Sequence, residues 1–144
     1  MNSSLPRKIK QEFMKLKPRG GRRKSEYFLC EGKRCCEEAL KHTPHLIKTC
    51  VVDSESNLPA AIVESYLISN KEIAELSLTE NPQGILFLMK RPEKSDLSKD
   101  LKPFILVLDG VAEPGNMGTI LRTALAVGLK KVVLTNGTVD PYNA

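Results

Sequence analysis

A carboxylate, an amide and a guanidinium fall close together at Glu113, Asn116 and Arg122, in a turn rich in glycine. A guanidinium stays charged at any ordinary pH and presents a planar fork of N–H donors, so it can grip a phosphate and stabilise negative charge developing on an oxygen. Asn116 can cap a helix and still contact a ligand or a partner subunit. Glu113 can brace the loop, by a bond to Asn116 or Arg122, or act directly. The stretch from Leu108 to Gly128, L-D-G-V-A-E-P-G-N-M-G-T-I-L-R-T-A-L-A-V-G, joins an apolar strand to a helix through a polar turn. Turns of that kind build sites.

The elements that hold these side chains follow from their neighbours. Phe104 to Leu108 is a continuous apolar run of the buried parallel-strand type, and Gly110, Pro114, Gly115 and Gly118 interrupt regular structure after it. Asn116 is then the expected N-cap of a helix with Ile120, Leu121, Ala124 and Leu125 inward and Gly128 as its stop. Thr119, Arg122 and Ala126 share the opposite side, which lets Arg122 look back toward Glu113 and Asn116. Other phosphate-binding loops do not fit. Gly110, Gly115 and Gly118 fail the G-x-G-x-x-G spacing, and Asn116 stands where a Walker loop needs lysine.

Glu113, Pro114, Asn116, Gly118, Ile120, Arg122, Thr123, Ala124 and Gly128, in that register, resemble the first signature motif of the SpoU-type RNA methyltransferases of the knotted SPOUT superfamily. Glu113 occupies a slot where aspartate is common. Lys131 to Leu134 is the expected second strand, and Thr138-Val139-Asp140-Pro141-Tyr142-Asn143 resembles the lead-in to the second motif. The resemblance implies S-adenosylmethionine-dependent methylation of a ribose 2′-hydroxyl, with Arg122, Asn116 and Glu113 as catalytic residues. It also implies a homodimer, and a donor site in a deep trefoil knot that lies mostly beyond residue 144. Residues 104 to 144 hold one strand-helix-strand unit, and such strands need further parallel neighbours. The chain is therefore expected to be the N-terminal portion of a larger enzyme, truncated before the knot. Alone, it is expected neither to bind the donor tightly nor to transfer methyl groups.

Charge points to the partner. Net charge is +5, but Met1 to Arg34 carries 11 Lys/Arg against 3 Asp/Glu, so the basic excess is N-terminal. Lys15, Lys17, Arg19, Arg22, Arg23 and Lys24 cluster in a loop-like stretch with Pro18, Gly20 and Gly21, suited to a phosphate backbone. Taken singly, such runs are more often solvated surface. Beside a motif for RNA methylation, they favour RNA contact, with ribosomal RNA ahead of transfer RNA. No apolar run approaches the roughly 20 residues of a membrane helix, and the first residues lack the apolar middle of a secretion signal, so a cytoplasmic protein is expected. Cys30, Cys35, Cys36 and Cys50, with His42 and His45, fit no standard zinc spacing, and reduced thiols in or near a core are the better reading.

Along the chain, Pro6 to Leu16 reads as a basic helix with Ile9, Phe13 and Leu16 on one stripe. Strands are expected at Tyr27 to Cys30, Ile47 to Val52, Tyr66 to Ile68 and Ile85 to Met89. Helices are expected at Lys33 to about His42, about Pro59 to Ser65, and after the capping box Ser69-Asn70-Lys71-Glu72. The charged stretch between Lys90 and Pro103 marks a boundary. The expected organisation is a basic helix and loop (1–25), an RNA substrate-binding domain (26–91), a linker (92–103) and the start of a SPOUT methyltransferase domain (104–144). The fold class is α/β throughout. Phe28-Leu29-Cys30-Glu31-Gly32 with Glu37-Glu38-Ala39-Leu40, and the turn Asn81-Pro82-Gln83-Gly84, resemble the ribosomal-protein-like substrate-binding domain that precedes many SpoU catalytic domains. The competing reading is a non-catalytic RNA-binding module, which is also the behaviour expected of these residues alone.

Overall fold

The computed structural model describes residues 4–57, 59, 64–93, 104–129 and 131–142. The chain divides into two units between Pro92 and Glu93. The first contains helices α1 (Arg7–Lys15), α2 (Arg19–Lys24), α3 (Lys33–His42) and α4 (Asn70–Leu76). Its strands are β1 (Tyr27–Glu31), β2 (Ile47–Val52), β3 (Ser65–Leu67) and β4 (Ile85–Lys90), in the order β1-β4-β2-β3. β4 runs antiparallel to both neighbours, whereas β2 and β3 are parallel.

The position of β4 follows from its composition. Ile85-Leu86-Phe87-Leu88-Met89 is buried at every residue, so it needs cover on both faces and takes an interior place. Side chains alternate across the sheet. Leu86 and Leu88 join Leu29, Val51 and Tyr66 under Phe13 and Leu16 from the end of α1 and Ile73 and Leu76 of α4. Ile85, Phe87 and Met89 join Cys30, Cys50 and Val52 under Cys36 and Ala39 of α3. Each fully buried aliphatic or aromatic side chain contributes about 1.5–3 kcal/mol. The apolar stripe of the basic helix α1 thus docks as its spacing requires, and Lys10 Nζ ties the helix to Glu75 of α4 at 2.7 Å.

The Ser69 capping box starts α4 as expected. Its Glu72 carboxyl titrates below its ordinary value because the Ser69 backbone N–H and then the Ser69 hydroxyl bond to the charged form. Gly84, at φ 73, closes the expected turn before β4. Two polar links are nonlocal. Gln83 Oε1 accepts from the Lys33 N–H at 2.9 Å, capping α3 where Gly32 has no side chain to do so. The Glu31 carboxylate accepts from the Ser77 hydroxyl, the Leu78 N–H (3.1 Å) and the Thr79 hydroxyl (2.6 Å), latching the end of β1 to the segment after α4. The helix expected at Pro59 to Ser65 lies mostly outside the described residues, and Ser65 itself opens β3. The four cysteines are free thiols; Cys30, Cys36 and Cys50 are buried, and burial pushes the Cys50 thiol up to about 12.

The second unit holds β5 (Leu106–Leu108), α5 (Pro114–Ala126) and β6 (Val132–Leu134), with β5 and β6 parallel. The five-residue buried strand expected at Phe104 to Leu108 is shorter and more open. Phe104 and Ile105 precede β5, Val107 is 51% exposed, and Leu108 is the buried member of the run. A two-stranded ribbon leaves apolar strand positions without cover. Among the described residues no helix is long and apolar enough to cross a membrane.

Candidate functional site

The helix carrying the candidate residues begins earlier than Asn116. Its N-cap is Glu113 in extended conformation, Pro114 is its first residue, and the first helical bond runs from the Met117 N–H to the Glu113 carbonyl at 3.1 Å. Proline at the first helical position has its φ preset and needs no N–H partner, which outweighs asparagine's preference for capping. Asn116 therefore sits inside the first turn, and no side chain caps this helix. The buried stripe is set by the same register: Met117 and Ala124 are buried, Ile120 and Leu121 half-buried, and Leu125, expected inward, is 72% exposed. Gly128 ends the helix as expected. At φ 81 its N–H bonds to the Leu125 carbonyl (3.0 Å) and the Leu129 N–H to that of Ala124 (2.9 Å), the paired bonds of a Schellman stop.

Gly110, Val111, Ala112, Glu113, Asn116, Thr119 and Ile120 line an open cleft of about 410 Å³. Glu113 and Asn116 are both exposed at this cleft. Among the described residues Glu113 bonds neither to Asn116 nor to Arg122. Arg122 stands nearly two turns beyond Asn116, and its Nη2 donates to Thr119 Oγ1 at 3.2 Å. The site thus has a carboxylate and an amide on the helix's first turn, at the cleft, and a guanidinium outside the cleft lining that is bonded to Thr119, a residue of that lining.

Residues 135–139 tie down the loop after β5. The Leu108 carbonyl accepts from the Thr135 N–H and the Thr138 hydroxyl, each at 3.0 Å, and the Val111 carbonyl accepts from the Val139 N–H at 2.8 Å. The Thr135 hydroxyl bonds the Asp109 carboxylate. Thr138 is buried, so its hydroxyl needs that carbonyl. Neither Thr119 nor Thr138 stands out in the sequence, because a threonine within a helix or just past a strand is too common to signal a role.

The basic segment is in the first unit and is not a loop. Pro18 begins α2, and its carbonyl accepts from the N–H groups of Gly21 (2.9 Å) and Arg22 (3.1 Å). Arg22 turns inward, its Nη1 donating to the carbonyls of Leu16 (3.0 Å) and Lys17 (2.6 Å) left open at the end of α1. Lys15 pairs with Glu12 at 2.7 Å, while Arg19, Arg23 and Lys24 are exposed. Of the six basic side chains named above, Arg22 therefore has a structural job. A Cβ at Gly21 would collide with the Lys15 carbonyl oxygen, so the two helices pack only through glycine. Gly21→Ala is expected to undock α2, lowering hydrogen-exchange protection at the Arg22 and Ser25 amides by about tenfold or more while the sheet core keeps its protection.

Residues 7–86 match the MRM3-like substrate binding domain family and residues 103–144 the SpoU rRNA Methylase family. The chain belongs to the SpoU-type rRNA methylases that carry this substrate-binding domain. It is 36% identical to 23S rRNA (guanosine(2553)-2′-O)-methyltransferase RlmP of Bacillus subtilis, across 99% of this chain and 57% of that protein. It is 32% identical to rRNA methyltransferase 3, mitochondrial, of Homo sapiens, across 94% of this chain and 35% of that protein. The AdoMet-bound rRNA methyltransferase from Sinorhizobium meliloti superposes with a TM-score of 0.71 at 27% identity, across 98% of this chain and 56% of that one. The chain thus spans little more than half the length of the Bacillus relative and about a third of the human one.

Proposed function

We propose that these residues form the RNA-binding and RNA-facing part of an S-adenosylmethionine-dependent methyltransferase acting on a ribose 2′-hydroxyl of ribosomal RNA. In this reading residues 1–25 and 26–91 grip the RNA, 92–103 link, and 104–144 open a SPOUT domain whose knot and donor site lie beyond residue 144. The full-length protein works as a cytoplasmic homodimer. The observation that carries the reading is the cleft lined by Glu113, Asn116 and Thr119, with Arg122 bonded to Thr119, in the register of the SpoU motif. The methylase names of the relatives support it.

A ribose hydroxyl must lose its proton as the methyl group arrives. Arg122 suits the task of holding the neighbouring phosphate and stabilising the alkoxide that develops; a guanidinium with a pKa above about 12 is a poor base but a strong donor. Asn116 and Glu113 orient the ribose from the cleft rim. The methyl donor does not fit this cleft: it is open and walled by Glu113, Asn116 and Thr119 with Gly110, Val111, Ala112 and Ile120, and gives no enclosed slot for an adenine ring.

The RNA-binding half has its own test. Arg19→Ala combined with Arg23→Ala is expected to weaken binding to structured ribosomal RNA and to lower the slope of log affinity against log salt by about two, one for each phosphate left without its cation. Electrophoretic shifts at a series of salt concentrations measure this. An unchanged slope would place the RNA on another surface.

A further inference from the structure

Arg122 is exposed at the surface of α5, where a long side chain ordinarily samples many rotamers. Here it has a fixed partner. The Thr119 hydroxyl donates its single proton to the Gly115 carbonyl at 3.0 Å, which leaves its lone pairs for Arg122 Nη2 at 3.2 Å. The next hydroxyl does not compete, because Thr123 Oγ1 donates to the Thr119 carbonyl at 3.0 Å. Beneath the guanidinium lies Gly118, where an added Cβ would stand 3.2 Å from Arg122 Nη1. A bare backbone at 118 and an accepting hydroxyl at 119 thus hold the guanidinium beside Gly118 and Thr119, on the N-terminal side of Arg122 along the helix. The spacings from 119 and 118 to 122 are the three- and four-residue steps at which helix side chains meet.

We propose that Thr119 is a positioning residue for RNA methylation, acting through Arg122: it accepts a guanidinium N–H and so aims the charge at the cleft it lines. Gly118 leaves the room that this aim requires. The inference rests on the functional reading above. It differs from that reading in assigning work to a hydroxyl that meets no reacting atom.

The test is a double-mutant cycle on ribose methylation by the full-length enzyme. Thr119→Val keeps shape and removes the acceptor, and is expected to lower kcat/KM by about tenfold or more, as loss of one hydrogen bond to a charged group does. Thr119→Ser is expected to restore it. In an Arg122→Ala background the same Thr119→Val change is expected to do nothing further. Gly118→Ala is expected to raise thermal stability, since alanine is the better helix former, while lowering kcat/KM by displacing the guanidinium. Equal losses from Thr119→Val with and without Arg122 would overturn the proposal, as would full activity of Thr119→Val. A fully active Arg122→Ala enzyme would overturn the functional reading and the proposal with it.

Discussion

Arg122→Lys in the full-length enzyme is expected to lower kcat/KM for ribose methylation by about two to three orders of magnitude, the range seen when one donor to a developing oxyanion is removed. Charge is conserved in this substitution, so the loss isolates geometry. A lysine ammonium is a compact point charge on a flexible stem and cannot hold a phosphate and an alkoxide with one planar fork. Nor can it lie beside Gly118 while donating to Thr119 in the way Arg122 does. Single-turnover rates at saturating RNA separate chemistry from binding. A near-normal rate would show that position 122 needs charge alone.

Phe13→Ala is expected to destabilise the first unit by about 3–5 kcal/mol, the cost of deleting a buried phenyl ring and leaving a cavity. Phe13 is 1% exposed and packs with Leu16, Leu29, Val51, Leu86 and Leu88. It is the point at which the basic N-terminal segment is fastened to the sheet. The loss of stability should therefore appear together with weaker RNA binding, since α2 and its exposed cations follow directly on α1. Urea denaturation measures the first effect; with a slope of about 1–3 kcal/mol/M the midpoint should fall by a molar unit or more. A shift corresponding to less than about 1 kcal/mol would mean that the ring is replaceable at that site.

Features set by neighbours in the chain were legible in the sequence. The Ser69 and Glu72 pair announces its helix because both halves of the capping box lie within one turn, and Gly84 and Gly128 mark places where the backbone takes a positive φ. The stripe of Ile9, Phe13 and Leu16 announces a docked helix for the same reason. What escaped was decided at a distance or by competition. Asn116 has the better capping side chain, yet Pro114 starts the helix first. Arg22 looks like one more surface cation, but the open carbonyls at the end of α1 take it inward. Leu125 is apolar and falls beside the buried stripe, and a two-stranded ribbon gives it no cover. The candidate site divides the same way: Glu113, Asn116 and Arg122 declare themselves by type and spacing, whereas Thr119 becomes meaningful once its two hydrogen bonds are seen.

The most direct test of the central claim is to incubate the full-length protein with ribosomal RNA and isotopically labelled S-adenosylmethionine, digest the RNA to nucleosides and identify the labelled product by mass spectrometry. The expected result is label in a single 2′-O-methylnucleoside, reduced by about two orders of magnitude or more when Arg122 is replaced by alanine. Label on a base, or unchanged ribose methylation without Arg122, would contradict the assignment.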